Sequence, residues 1–573
     1  MGAGSMILFE NVSFRYPGSE EWVLKDVSVE IKKHEFTAII GGNGAGKSTF
    51  CKVINGLIPY YYVGDFEGKM SINGEDAAAS NVASLSSKVA YVYQDFENQL
   101  VRPKVLDEVI FSPLNYGYKD YMERGKRALE LLDLTHLADE YVWQLSGGQK
   151  HLVALAGALA LTPEVLIIDE PVAQLDPAHA IQLYEKLKYL HSELGLTILV
   201  IEHHTEFIAN YCKDVMLMEK GSVKWKKPVK EALNLVEELT EKHIHPPQVT
   251  MAAFHERPLS EQLPVTLEEA GRWFENYTIH EKGMPFTVSP EKQQSIVEFN
   301  GVHYGYKTLS RKTVPVIKNL KLQIKTGDRI ALVGSNGAGK STILKLISGL
   351  IKPLQGDVFY KGDSLKKVSP EKRAEKIAHI YQNPEEMFIE DEIRKDISFF
   401  LKVRNHPAQE EITNRIVQQF NLEVLKHRDG RLLSGGQQRR ASLAIGLAMQ
   451  PEVVLLDEPT ASLDIATRKE MIAMLGELDS SVKAAVIATH DMQLVAEWAT
   501  RVVVLNHGEV IADTTPQELF SNQFLLKEAS LVEPQIVSLC HELKIHPVEL
   551  TIDGFLRRIK WEESASECFS KVL

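Results

Sequence analysis

Short runs of consecutive apolar residues punctuate the chain, separated by stretches in which apolar residues recur every three or four positions. Phe36-Thr-Ala-Ile-Ile40 and Arg329-Ile-Ala-Leu-Val333 are β-rich runs that enter glycine-rich turns, and a helical pattern follows each, over Ser48–Leu57 and Ser341–Leu350. Val165–Ile168, Val453–Leu456, Thr197–Ile201 and Ala484–Ala488 are apolar at nearly every position. A strand apolar on both faces belongs in a parallel sheet covered on both sides; a strand with one wet face would alternate. Strands interleaved with helices therefore predict an α/β fold built on mostly parallel sheets.

The pattern occurs twice. GGNGAGKST at 41–49 returns as GSNGAGKST at 334–342, and LSGGQ at 145–149 returns at 433–437. Lys47 and Lys340 are 293 positions apart, Ser146 and Ser434 are 288, Asp169 and Asp457 are 288, and His203 and His490 are 287. A nearly constant offset over four separate landmarks means duplication of a whole domain, and its length excludes a solenoid repeat.

Between the copies the composition shifts. Residues 228–292 hold six Lys and Arg against eleven Glu, with no Asp. Val229, Ala232, Leu233, Val236 and Leu239 have helical spacing, and Thr266-Leu-Glu-Glu269 is a capping-box pattern ahead of another helix. The end of the chain repeats the landmarks, Pro247-Gln-Val249 returning as Pro534-Gln-Ile536. The expected organisation is a first α/β domain over 6–227, its helical extension over 228–292, a second α/β domain over 293–520, and a helical extension over 521–573.

Composition narrows the class. Of 573 residues, 44% are hydrophobic and 25% charged, the ordinary globular balance. A net charge of −13 argues against nucleic acid as the main partner. Cys51, Cys212, Cys540 and Cys568 are scattered, which excludes a disulfide framework and the usual structural zinc spacings. The longest apolar run, Leu152–Leu161, is about half a membrane span, and no signal peptide is evident. The chain is expected neither to cross a membrane nor to be secreted, though it could dock on a membrane protein.

Two glycine-rich turns carry the chemistry. Gly41, Asn43, Gly44, Gly46, Lys47, Ser48 and Thr49 form one P-loop, and Gly334, Asn336, Gly337, Gly339, Lys340, Ser341 and Thr342 the other. Glycines let successive backbone N–H groups face a phosphate chain, and the following helix adds its positive end. Lys47 and Lys340 are expected to reach the β/γ-phosphates, and Ser48 and Ser341 to ligate Mg²⁺. Asp169-Glu170 and Asp457-Glu458 end apolar strands, where the ligand crevice of an α/β sheet lies. Each Asp suits the Mg²⁺ shell, and each Glu suits a general base that polarises the attacking water.

The LSGGQ motif discriminates among P-loop proteins, and with it the chain resembles the ATP-binding cassette (ABC) family along nearly its whole length. The resemblance implies two cassettes paired head to tail, each ATP lying between one P-loop and the other cassette's signature. Ser434, Gly435, Gly436 and Gln437 would then face the ATP held by Lys47, and Ser146, Gly147, Gly148 and Gln149 the ATP held by Lys340. It further implies that Tyr16 and Tyr306 stack on adenine, that Gln94 and Gln382 sense Mg²⁺ and water, and that His203 and His490 contact the γ-phosphate. Two departures stand out. Gln174 replaces Ser462 in the loop after the acidic pair, which suggests two competent sites with unequal rates. After the signature, Lys150-His151-Leu152 stands where the second copy has Gln438-Arg439-Arg440.

The segments after Gln94 and Gln382 resemble those of energy-coupling factor (ECF) importer ATPases. There an acidic groove receives arginines from a transmembrane coupling subunit, and a second membrane subunit selects a vitamin, a thiamine precursor or a metal ion. The matching residues are Phe96, Glu97, Asn98 and Gln99, then Pro384, Glu385, Glu386 and Met387, with Met387 a departure from Gln99. The resemblance implies a peripheral protein on the cytoplasmic face of the cell membrane. Alternatives are a translation-factor protein acting on ribosomes, which would need a basic segment between cassettes, and the tandem ATPase of a sugar importer, whose second P-loop is usually degenerate. A repair ATPase would need coiled coils or zinc cysteines.

Overall fold

The computed structural model describes residues 4–172, 175–258, 260, 262–279, 294–307, 313–461, 463, 465–477 and 482–561. The chain divides into two units, Met1–Trp273 and Phe274–Leu573.

The first unit is built on a six-stranded sheet. Its order is Ser222–Pro228, Asp214–Glu219, Phe36–Ile40, Thr197–Ile201, Val165–Asp169 and Val89–Val92. Every neighbouring pair is parallel except the first, which is an antiparallel hairpin. The apolar runs explain the burial: Leu166 and Ile168 pack into one core cluster, and Val165 and Ile167 into another on the opposite face. Truncating such a residue to Ala costs about 2–5 kcal/mol. A separate four-stranded antiparallel sheet includes Ser5–Arg15, Leu24–Lys32 and Asp65–Ile72.

After the last strand, helices Val229–Leu233 and Val236–Glu241 place Ala232, Leu233 and Leu239 in the first unit's main core cluster. Helix Leu267–Phe274 follows Thr266, whose hydroxyl accepts from Glu269 N at 3.3 Å while the Glu269 carboxylate accepts from Val265 N at 2.9 Å.

The second unit repeats the plan. Its six-stranded sheet runs Ile377–Ile380, Val453–Asp457, Ala484–Ala488, Arg329–Val333, Arg501–Asn506 and Glu509–Thr514, with only the last pair antiparallel. A four-stranded antiparallel sheet accompanies it. Helices Gln535–Glu542 and Ile552–Arg558 come after, and strand Ile559–Trp561 pairs antiparallel with Tyr277–Ile279. Among the described residues, no helix is long and apolar enough to cross a membrane.

Candidate functional site

Four adjacent parallel strands of the first unit end at one edge, and each delivers part of a site. Phe36–Ile40 leads into the P-loop, Thr197–Ile201 into Glu202 and His203, Val165–Asp169 into Glu170, and Val89–Val92 toward Gln94. At Gly41 the backbone has φ +151°, and a Cβ there would lie 2.3 Å from the Met218 carbonyl, so only glycine fits. Gly42 and Gly44 face open space. Lys47 opens helix Lys47–Ile54 and is buried, its ammonium donating to Gly41 O at 2.7 Å and Gly42 O at 3.1 Å. The Tyr16 hydroxyl sits 3.5 Å from Thr49 Oγ1 at the start of this helix.

The acidic pair is divided by its surroundings. Asp169 is buried and accepts from the Tyr91 hydroxyl at 2.9 Å. Burial pushes its carboxyl up, and hydrogen bonds from Tyr91 and Ser48 oppose that shift. Glu170 has φ +49°, a left-handed conformation that non-glycine residues adopt at a cost and that clusters at functional sites. It turns the carboxylate toward two polar neighbours: Gln94 Nε2 donates to Oε2 at 2.6 Å, and His203 Nε2 lies 3.1 Å from Oε1. Burial pushes the Glu170 carboxyl up, but the hydrogen bond and charge of His203, helped by Lys47, outweigh it and the net shift is down.

In the second unit, Gly334 has φ +145°, and a Cβ there would lie 2.2 Å from the Leu505 carbonyl. Gly337 faces open space. Gly339 caps helix Lys340–Ser348, and Lys340 donates to Gly334 O at 2.7 Å and Ser335 O at 3.2 Å. The Tyr306 hydroxyl sits 3.4 Å from Thr342 Oγ1. Ser341 Oγ donates to Asp457 Oδ1 at 2.9 Å. Glu458 again has positive φ, +47°, and His490 Nδ1 lies 2.9 Å from its Oε1. Burial pushes the His490 imidazole down, but Glu458 outweighs this and the net shift is up. The structure does not bring Gln382 to Glu458: Gln382 is exposed, and the carboxylate instead accepts from Thr489 Oγ1 and His490 N, both at 3.4 Å.

Both signatures open helices. Ser146 caps Gly147–Leu159 in a reciprocal box with Gln149, Ser146 N donating to Gln149 Oε1 at 3.0 Å and Gln149 N to Ser146 Oγ at 3.3 Å. Ser434 and Gln437 repeat the box on Gly435–Ala448. Gly147 and Gly435 face open space; a Cβ on Gly148 would crowd His179 at 3.0 Å, and one on Gly436 would meet Thr467 at 2.5 Å. Asn43 and Asn336 lie within their P-loop turns. Gln174 falls outside the described residues.

The segments after the glutamines are short 3-10 turns, Phe96–Gln99 and Pro384–Met387. Two of the residues expected to receive a partner point inward instead. Phe96 is an apolar ring at the head of its turn and is buried, stacked on the His151 ring at 4.5 Å. Gln99 binds its own backbone, accepting from Tyr93 N at 2.9 Å and donating to Tyr91 O at 3.0 Å. Glu97 is exposed but paired with Lys150 at 2.6 Å. Glu385 and Glu386 are exposed.

Two buried polar residues escaped sequence reasoning. Tyr91 braces Asp169, and the only sign of it was a hydroxyl inside an otherwise apolar strand. Glu202 is buried and accepts from His203 N at 2.8 Å, His204 N at 2.9 Å and the Tyr184 hydroxyl at 2.6 Å. A carboxylate directly after the apolar run Thr197–Ile201 was its signal.

The donor sets fit a magnesium nucleotide. Each P-loop offers a glycine cradle that a Cβ would fill, and beside it a hydroxyl–carboxylate pair of hard oxygens of the kind Mg²⁺ prefers. The family profile and the sequence relatives agree. The sequence profile of the ABC transporter family matches residues 24–173 and 317–461. A protein of Methanosarcina mazei described as an ABC transporter ATP-binding protein is 31% identical over 558 residues, covering 94% of this chain and 94% of its own. One of Streptococcus pneumoniae with the same description is 33% identical over 559 residues, covering 96% and 97%. Among solved structures, cbiO1 of Clostridium perfringens, part of the ABC transporter complex cbiONQ, is 31% identical, the match covering 42% of this chain and 95% of that one with a TM-score of 0.37. With two such sites in one sequence, the chain belongs to the ABC transporter family, as an ATP-binding protein with two tandem cassettes that hydrolyses ATP with Mg²⁺.

Proposed function

We propose that the chain is the ATP-hydrolysing subunit of a membrane importer of the ECF type, bound peripherally at the cytoplasmic face of the membrane. Two composite sites form as the cassettes pair head to tail within one chain, and residues 228–292 and 521–573 serve as helical extensions. An integral membrane subunit docks beside Gln94 and Gln382, and a separate membrane subunit selects the cargo, a vitamin, a thiamine precursor or a metal ion.

In each site the P-loop amides and Lys47 or Lys340 hold the phosphates, and the tyrosines Tyr16 and Tyr306 hold the base. Ser48 with Asp169, and Ser341 with Asp457, would hold Mg²⁺, with Gln94 and Gln382 alongside. When bound, the ion neutralises charge on the phosphate oxygens. Glu170 and Glu458 accept the proton of the attacking water. His203 and His490, each hydrogen-bonded to its glutamate, orient that carboxylate and face the γ-phosphate. Ser146–Gln149 and Ser434–Gln437 present helix N-termini to the nucleotide of the opposite cassette.

The observation that carries the importer reading is the duplicated exposed acidic turn, Glu97 in one unit and Glu385 with Glu386 in the other, set three or four residues after the glutamine of each site. A turn in that position links nucleotide state to whatever binds it. Affinity purification of the chain from detergent-solubilised native membranes tests this. Integral membrane proteins should co-purify stoichiometrically; recovery of ribosomes with no membrane protein would overturn the reading.

A further inference from the structure

The two docking surfaces differ in charge. In the first unit a cavity of about 360 Å³ lies beside the Phe96–Gln99 turn. Leu100, Val101 and Val142 form its apolar wall, and Trp143, 62% exposed and stacked on Tyr141 at 4.5 Å, forms a ledge. Its charged lining is Glu97, Arg102 and Lys150. Lys150 already pairs with Glu97 at 2.6 Å, and the Arg102 guanidinium lies over the Phe111 ring, 5.7 Å from its centroid, with no carboxylate at ion-pair distance among the described residues, so the lining carries one cation in excess.

The second unit shows what this groove is not. Glu108 accepts from Val101 N and Arg102 N at 2.8 and 2.6 Å, and Asp396 accepts from Ile389 N and Glu390 N, both at 2.8 Å. The shared backbone clamp makes Arg102 the counterpart of Glu390. Counting from the signature serines makes Lys150 the counterpart of Gln438, whose amide donates inward to Gly430 O and Arg431 O. Both cations of the first groove are therefore missing from the second. One segment with one charge cannot satisfy both surfaces, because a cation that suits Glu385 and Glu390 meets Arg102 as a like charge.

We infer that the groove of the first unit receives a segment of the membrane partner carrying a carboxylate next to an apolar side chain, the carboxylate seated on Arg102 and the apolar group on Val101 and Trp143. The second unit takes a different, cationic segment of the partner. This rests on the importer reading and gives the partner its polarity: it must present two unlike segments, so the chain binds in one orientation only. Carboxylate–guanidinium contacts are directional and charge-assisted, and suit such a choice.

The test uses the full chain purified with its membrane partner. A photo-crosslinking amino acid replaces Val101 in one preparation and Ile389 in another, both positions being exposed, and the crosslinked partner segments are sequenced. Val101 should label a segment with Asp or Glu close by, and Ile389 a different segment with Arg or Lys. Labelling of one shared segment, or of a cationic segment from position 101, overturns the inference while leaving the importer reading intact. If neither position labels a membrane protein, the importer reading falls and this inference with it. Independently, Arg102→Glu with Lys150→Gln, which installs the second unit's residues, should reduce co-purified partner about tenfold with ATPase of the isolated chain unchanged. Undiminished co-purification also overturns the inference.

Discussion

Gln94 Nε2 stands 2.6 Å from Glu170 Oε2, while no hydrogen bond joins their counterparts Gln382 and Glu458 among the described residues. The two sites therefore hold their bases differently. Gln94→Glu places a second carboxylate against Glu170, and like charges at that range raise the pKa of one of them by about one unit or more. The acid limb of the ATPase pH profile should move up accordingly. Gln382→Glu should move it less, and equal shifts would contradict the asymmetry.

Glu170→Gln and Glu458→Gln each remove one general base while leaving the P-loop intact. Each should slow hydrolysis at its own site about a hundredfold or more and leave ATP affinity near the wild-type value. Single-turnover hydrolysis and equilibrium nucleotide binding measure the two effects separately. A double variant that still hydrolyses ATP at the wild-type rate would rule out both glutamates as bases.

Tyr91 supplies a buried hydroxyl to a buried carboxylate. Tyr91→Phe removes the donor from Asp169 with little change in shape, so the apo protein should lose about 1.5–3 kcal/mol of stability. Urea unfolding of the first unit checks this, and the corresponding change His379→Phe should not cost as much, because neither ring nitrogen of His379 has a hydrogen-bond partner.

His151 makes stability depend on pH. It is buried, its Nδ1 has no partner, and burial lowers its pKa to about 4. The unfolded chain binds this proton near pH 6.5 and the folded chain only near 4, so folding loses stability as pH falls through that window, by up to about 1.4 kcal/mol per unit. His151→Phe keeps an aromatic ring against Phe96 and removes the titration. The variant's urea midpoint should gain on the wild type between pH 6.5 and 4.5; a constant difference would exclude the linkage.

Much of the fold is legible in the residues themselves. Phe36–Ile40, Thr197–Ile201, Arg329–Val333 and Ala484–Ala488 have the strand bounds read from apolar runs, because a strand buried on both faces is apolar at nearly every position. The P-loop glycines are legible because a positive φ beside a carbonyl admits no other residue. The surroundings of the site are not. Gln99 is expected to face a partner, yet it serves the backbone of Tyr91 and Tyr93, and nothing in a polar side chain's identity reveals which way it turns. Lys150 is 53 positions from Glu97, and an ion pair across that separation exists only once the fold brings the two turns together. Tyr91 and Glu202 each stand out as a polar group in or beside an apolar run, but their distant partners, Asp169 and Tyr184, are set only by the fold.

The pairing of each P-loop with the opposite signature is the centre of the account, and nucleotide stoichiometry tests it most directly. In a Glu170→Gln, Glu458→Gln background, ATP bound per chain is counted for two further combinations, at a concentration where light scattering gives the mass of one chain. Lys47→Ala with Ser434→Arg damages one composite site twice and should leave one ATP bound per chain. Lys47→Ala with Ser146→Arg damages both sites and should leave none. The reverse result, with one ATP retained by the Ser146 combination and none by the Ser434 combination, would mean that each P-loop closes on the signature of its own cassette, and would contradict the proposed pairing.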